Sequence, residues 1–213
     1  MKIASVIIID DDAFVRSSLT AALNGFGLNV VGTGQTFSVA MSLCKTNPVD
    51  VAIIDFDLGH GPNGFDICVA LRKQFPEIGL VLLTSYTDLN YAEPNLPSLP
   101  KGTRFITKSN ISDFQLLTSA ILSAKHKPLE TTKTFRKKSQ LTITQIEVLR
   151  MLSEGLSTNE IANRRGVSVK AVEGIISKIH NKLGLEKSKS LNQRVQLARA
   201  FFNLSGKNLP HDS

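Results

Sequence analysis

The chain has 213 residues, 42% of them hydrophobic, enough to bury a core in each of one or two domains. Its two cysteines, Cys44 and Cys68, lack the spacing of a disulfide framework or a zinc site, and no uncharged apolar run is long enough to span a bilayer, so a soluble, cytosolic protein is expected. The net charge of +7 is unevenly divided: residues 1–124 carry 8 Lys and Arg against 11 Asp and Glu, a net −3, and residues 125–213 carry 17 against 7, a net +10, which joins an acidic half to a half that meets a polyanion.

In chain order, four short apolar runs stand out: Ser5-Val-Ile-Ile-Ile9, Val51-Ala-Ile-Ile54, Leu80-Val-Leu-Leu83 and Arg104-Phe-Ile-Thr107. They are β-branched and without polar alternation, as parallel strands covered on both faces require. Helical spacing fills the segments between them, so βα units follow one another. At the carboxyl ends of these runs stand Asp10 and Asp11, Asp55, Thr84 and Lys108. Chemistry in an open α/β sheet collects at that edge, so the five side chains are expected to meet. Two carboxylates about 4 Å apart repel by on the order of 4 kcal/mol at an effective dielectric near 20. A hard divalent cation removes that cost, and donors that are all oxygen suit magnesium. Asp55 is the central carboxylate and the candidate nucleophile for a phosphoryl group, with the metal and Lys108 neutralising its oxygens and Thr84 donating a hydroxyl. Asp12 is expected to cap the first helix. Taken singly each of these residues has an ordinary structural reading, such as a helix cap; the ordered set of five at strand ends does not.

The motifs Ile8-Ile9-Asp10-Asp11, Ile53-Ile54-Asp55-Phe56-Asp57 with Asn63-Gly64, Leu83-Thr84-Ser85 and Phe105-Ile106-Thr107-Lys108 resemble the receiver domain of two-component response regulators, over roughly residues 3–125. The resemblance implies a doubly wound, five-stranded parallel sheet of flavodoxin-like type. It also implies magnesium held by Asp10, Asp11, Asp55 and the backbone carbonyl of Asp57, phosphorylation of Asp55 by a sensor histidine kinase, and Thr84 and Phe105 as a switch pair. Two departures remove no ligand: Leu58-Gly-His-Gly-Pro-Asn63 lacks a proline soon after the acceptor, and Ser109 replaces proline after Lys108. Ala52-Ile-Ile-Asp55-Phe-Asp57 is also similar to the opening motif of haloacid-dehalogenase-type phosphatases. That family expects its acidic pair downstream of the lysine, whereas here the pair lies upstream. No turnover of an external substrate is expected beyond removal of the phosphate from Asp55 itself.

Tyr86 to Gly102 occupies the place of the fourth receiver helix and holds Pro94, Pro97 and Pro100. A helix of at most about two turns, from 87 to 93, is expected before extended chain. Contacts between copies would then fall to the fifth receiver helix, around Phe114, Leu117 and Ile121, or to the basic second half.

A basic segment, residues 125–140, reads as a linker between a receiver of residues 1–124 and a helical domain of residues 141–205, with a tail over 206–213. Capping-box patterns at Thr142/Gln145, Ser157/Glu160 and Ser190/Gln193, an N-cap at Ser168, and Gly155, Gly166 and Gly184 at helix ends predict helices near 142–154, 157–165, 168–183 and 190–203. A short helix, a turn at Gly166-Val167 and a longer helix make a helix-turn-helix. On the third helix Val172, Ile175, Ile176, Ile179 and Leu183 share the inner face, leaving Ser168, Lys170, Glu173, Gly174, Ser177, Lys178, Asn181 and Lys182 as candidate DNA contacts beside Arg164-Arg165. Leu141-Thr-Ile-Thr-Gln-Ile-Glu-Val-Leu149, Gly155-Leu-Ser-Thr-Asn-Glu-Ile-Ala162 and Val167-Ser-Val-Lys-Ala-Val-Glu173 resemble the LuxR-type helix-turn-helix of the NarL/FixJ class, over roughly 139–203. That resemblance implies an all-α domain of four helices whose third enters the major groove of double-stranded DNA. It implies a homodimer, on DNA or on phosphorylation, paired along the last helix through Leu191, Arg194, Val195, Ala198 and Phe202. The combined expectation is a transcription regulator with no membrane partner, switched by magnesium-dependent phosphorylation. The alternatives are a LuxR-type regulator controlled without phosphate, and an aspartate-nucleophile phosphatase fused to a DNA-binding module.

Overall fold

The computed structural model describes residues 4–59, 61–93, 96–111, 113–130, 140–185 and 192–206. The chain forms two compact units, Met1–Thr84 with Ser98–Arg136, and Ser85–Pro97 with Lys137–Ser213.

The first unit is a parallel sheet of β1 (Ser5–Ile9), β2 (Asn29–Gly34), β3 (Val51–Asp55), β4 (Gly79–Thr84) and β5 (Arg104–Thr107) in the order β2-β1-β3-β4-β5. Helices α1 (Ala13–Gly25), α2 (Phe37–Thr46), α3 (Gly64–Gln74) and α4 (Phe114–His126) connect and cover it. This is the doubly wound arrangement expected. Val6, Ile8, Val51, Ile53, Val81 and Leu83 point to one face, under Leu19 and Leu23 of α1 and Leu117 and Ile121 of α4. The intervening Ile7, Ile9, Ile54 and Leu82 are equally buried on the other face. At roughly 1.5–3 kcal/mol for each large side chain removed from water, this double burial fixes the strand register. β2 was not among the apolar runs because it is an edge strand with two glycines and only half-buried residues.

Leu117 and Ile121 are fully buried against the sheet and are not available to a second copy. Of the three residues expected to pair copies on this helix, only Phe114 reaches the outer side, where its ring stacks on Phe26 with centroids 5.8 Å apart. Helix α4 runs to His126, and the chain beyond it is tied down. Arg104, 4% exposed, donates to the carbonyls of Gly102, Ser123, Lys127 and Glu130 and to the Ser123 hydroxyl. Arg72 donates to the Pro128 carbonyl at 2.9 Å. Residues 127–130, expected within the linker, are thus anchored through the carbonyls of Lys127, Pro128 and Glu130, which lie just beyond the end of α4. Residues 131–139 lie outside the described residues.

The second unit contains α5 (Ile143–Ser153), α6 (Thr158–Arg165), α7 (Val169–Leu183) and α8 (Gln193–Ser205) around Ile146, Leu149, Leu152, Ile161, Val172, Ile179, Leu197 and Phe201. The capping boxes at Thr142 and Ser157 form, Ser168 caps α7, and Gly166 and Gly184 close α6 and α7 in left-handed conformation. Helix α8 opens later than expected, because the Asn192 side chain accepts from the Arg194 N–H and ends the helix at Gln193. Ser190 and Leu191 lie outside the described residues. Where a short fourth receiver helix was expected, the described residues hold a single 3-10 turn, Leu89–Tyr91, within the limit of about two turns. The Asp88 side chain starts it by accepting from the Asn90 N–H, and no regular helix is present over 96–100. Pro94 lies outside the described residues.

Candidate functional site

Sheet register brings the acidic pocket together. Ile9 pairs with Ile54, so Asp10 and Asp55 leave adjacent strand ends. Asp55 pairs with Leu83 and Thr84 with Thr107, which sets Thr84 and then Lys108 along the same edge. Carboxylate oxygens of Asp10, Asp11 and Asp55 lie within 4.8 Å of one another. Asp10 and Asp55 are buried and Asp11 is exposed. The Lys108 Nζ is 3.0 Å from Asp10 Oδ2 and 3.1 Å from Asp55 Oδ1. Thr84 and Phe105 are each 1% exposed, and the Asp57 side chain is exposed. Asp12 accepts from the backbone N–H groups of Phe14 and Val15, capping α1 as expected.

Two supports of the pocket were not read from the sequence. Arg16 Nη1 donates to the carbonyls of Asp10 at 2.7 Å and Asp11 at 3.0 Å, holding the acidic loop from the first turn of α1. Its position six residues after Asp10 was the available signal. Gly64 starts α3 directly against the Asp55 backbone, and a Cβ there would lie 2.1 Å from the Asp55 carbonyl oxygen. The Asn63 and Asp66 capping box fixes that start. The Asn63-Gly64 pair therefore lets α3 start directly against the strand that carries Asp55.

Burial raises the Asp55 pKa from 3.8 to about 7, against the opposing attraction of Lys108 and with added repulsion from Asp10 and Asp57. Burial also works against the Lys108 charge, but Asp55 and Asp10 outweigh it and its pKa is raised. Three carboxylates thus face one ammonium. The site favours an added cation, and its oxygen-only donor set fits a hard divalent ion such as magnesium.

In the second unit Ser168, Lys170, Glu173, Gly174, Ser177, Lys178, Asn181 and Lys182 are all exposed on α7, while Val172 and Ile179 are buried on its opposite side. His180 is buried as well, which the sequence did not foretell. Lys182 is committed to the fold: its Nζ donates to the Gln140 carbonyl at 2.9 Å and to Gln145 Oε1 at 3.0 Å. Arg165 pairs with Glu147, which leaves Arg164 as the exposed member of the arginine pair. On α8, Leu197 and Phe201 are buried, Val195 is exposed, and Ala198 and Phe202 are half-buried, the Phe202 ring meeting that of Phe201.

The model of the response regulator receiver domain matches residues 6–120, and that of the bacterial regulatory proteins of the luxR family matches residues 139–199. The chain is a response regulator of the NarL/FixJ class. It is 29% identical over 206 residues to the DNA-binding transcriptional activator DevR/DosR of Mycobacterium tuberculosis, covering 85% of this chain and 89% of that protein. It is 28% identical over 206 residues to the oxygen regulatory protein NreC of Staphylococcus haemolyticus, covering 87% and 94%. A solved structure of two RcsB dimers bound to two parallel DNAs is similar in fold, with a TM-score of 0.58 at 21% identity over 94% of this chain and 98% of that one.

Two outcomes follow from the geometry of this response regulator. A buried acid with a raised pKa keeps its proton between about pH 4 and 7, where the unfolded chain has lost it, so its contribution to stability falls as pH rises through that window. Asp55→Asn in metal-free buffer should therefore stabilise the protein by about 2–4 kcal/mol at pH 8 and hardly at all near pH 3.5. Thermal melts across pH check this, and an equal gain at both ends contradicts it. On α7, a Cβ added at Gly174 meets nothing within 4 Å, so the fold itself has no need of glycine there. Gly174→Ala should raise stability by about 0.5–1 kcal/mol in urea and weaken DNA binding. Unchanged or tighter binding would remove Gly174 from the DNA face.

Proposed function

We propose that this response regulator accepts a phosphoryl group on Asp55 from a sensor histidine kinase, and that phosphorylation controls the binding of α7 to double-stranded DNA and thereby transcription. The observation that carries the reading is the convergence of Asp10, Asp11, Asp55 and Lys108 on one sheet edge of a chain that also presents a basic, exposed helix-turn-helix face.

In the transfer an Asp55 oxygen bonds to phosphorus as the phosphorus–nitrogen bond of a phosphohistidine breaks, its electron pair staying on the imidazole. Asp10, Asp11, Asp55 and the Asp57 carbonyl would hold magnesium, which when bound supplies positive charge opposite the phosphoryl oxygens. Lys108, already between Asp10 and Asp55, gives the second positive charge. The Thr84 hydroxyl donates to the new phosphoryl group, and Phe105 is its partner in the switch. Attack by water on phosphorus later restores the carboxylate, which is the only turnover the site needs.

On DNA, Lys170 and Lys178 meet phosphates, while Glu173, Ser177 and Asn181 face base edges, where an acid accepts from cytosine N4. Ser168 at the start of α7 adds a backbone contact. Two copies pair along Val195, Ala198 and Phe202 of α8 and take half-sites about one helical turn apart. A DNA target places the protein's action in the cytoplasm.

Incubation with acetyl phosphate and magnesium, followed by intact-mass measurement, should show one added phosphoryl group that is absent in Asp55→Asn. An addition that persists in that variant would transfer the acceptor role to another residue.

A further inference from the structure

Helix α7 is held to its unit largely by contacts that have no direction. Val172, Ile179 and His180 are buried on its inner side. Among the described residues neither ring nitrogen of His180 finds a hydrogen-bond partner, so this side chain packs as an apolar one does. Hydrophobic burial is non-directional and fixes how closely a helix lies more firmly than its roll about its own axis.

The directional contact comes from Lys182. Among the described residues it is the side chain of α7 that hydrogen-bonds outside its own helix. From the position before the last residue of α7, its Nζ donates to the Gln140 carbonyl at 2.9 Å and to Gln145 Oε1 at 3.0 Å. Both acceptors are fixed independently of α7. Gln145 is buried, and its Oε1 also accepts from the Thr142 N–H at 3.0 Å, while Thr142 Oγ1 accepts from the Gln145 N–H at 3.3 Å. Gln140 stands directly before the buried Leu141, at the entry to α5.

We propose that Lys182 is a positioning residue for DNA reading: by tying the last turn of α7 to the entry of α5 it sets the roll of the face that carries Glu173, Ser177 and Asn181, without itself touching DNA. This rests on α7 being the helix that meets DNA. Glu173, Ser177 and Asn181 recur every fourth residue, so they share one side of the helix. A roll of about 15° carries a side-chain tip at the roughly 6 Å outer radius of a helix through about 1.6 Å. Hydrogen bonds to a base edge tolerate a range of only about 0.5 Å, so such a roll breaks them. Lys170 and Lys178 hold phosphates through flexible stems and follow the same roll without losing their contacts. Lys182 therefore acts on which sequence is bound more than on how tightly DNA in general is held.

The test uses the full chain, treated with acetyl phosphate and magnesium throughout. A duplex preferred by the unchanged chain is selected from a random library. Binding to that duplex and to the random pool is then measured across a salt series for the unchanged chain, Lys182→Met and Lys182→Ala. Lys182 is exposed, so both changes leave the core intact, and thermal melts confirm the fold. In both variants the ratio of the two affinities should fall about tenfold, with random-pool binding held within about twofold and the salt slope unchanged. Lys182→Arg keeps the donors and should hold the ratio within about threefold of the unchanged chain. A ratio unchanged in Lys182→Met and Lys182→Ala overturns the proposal, and so does a fall in Lys182→Arg as large as theirs. Equal loss on both kinds of DNA, with a slope shallower by about 0.9, makes Lys182 a phosphate contact and also overturns it. A library from which the unchanged chain enriches no duplex overturns the DNA-reading role of α7 itself.

Discussion

Asp10, Asp11 and Asp55 are held within 4.8 Å of one another by strands that cannot slide, because a shift of one residue would turn the buried faces of β1 and β3 outward. The folded state therefore contains a repulsion that, among the described residues, the Lys108 ammonium offsets through its ion pairs with Asp10 and Asp55. Burial lifts Asp55 toward neutral pH, so the pocket is least settled in the absence of an added positive charge. The Arg16 bonds to the carbonyls of Asp10 and Asp11 and the close start of α3 at Gly64 keep the acidic loops from relaxing away. An added cation at this edge would offset that repulsion.

Thr84 ends the strand beside that of Asp55, and the residues that follow it cap α8 and engage α5. The exposed basic residues Lys170 and Lys178 of α7 lie in a different unit from the acidic pocket.

Much of this was legible in the sequence where chemistry and periodicity agree. The four buried strands announced themselves as β-branched runs, and their terminal residues announced the pocket. Helix starts at Thr142, Ser157 and Ser168 were readable because capping is a local interaction. β2 escaped because an edge strand with glycines carries little apolar signal, and the start of α8 was misplaced because Asn192 competes with Ser190 as a cap. Arg16, Arg104 and Arg150 could not be read, since long side chains that satisfy distant carbonyls leave no pattern in spacing. Lys182 looked like a DNA contact on its helical wheel, but tertiary hydrogen bonds to Gln140 and Gln145 hold it. The prolines announced a short helix after β4; what that segment would pack against was set by the fold.

The central claim is that the crowded carboxylates form a divalent-cation site on which the phosphoryl chemistry depends. Calorimetric titration of magnesium into the full-length protein at neutral pH tests it most directly. The account predicts a saturable one-to-one isotherm that is lost in Asp11→Ala, a change at an exposed position that leaves the buried core intact. Absence of saturable binding, or an isotherm unchanged in Asp11→Ala, would contradict it.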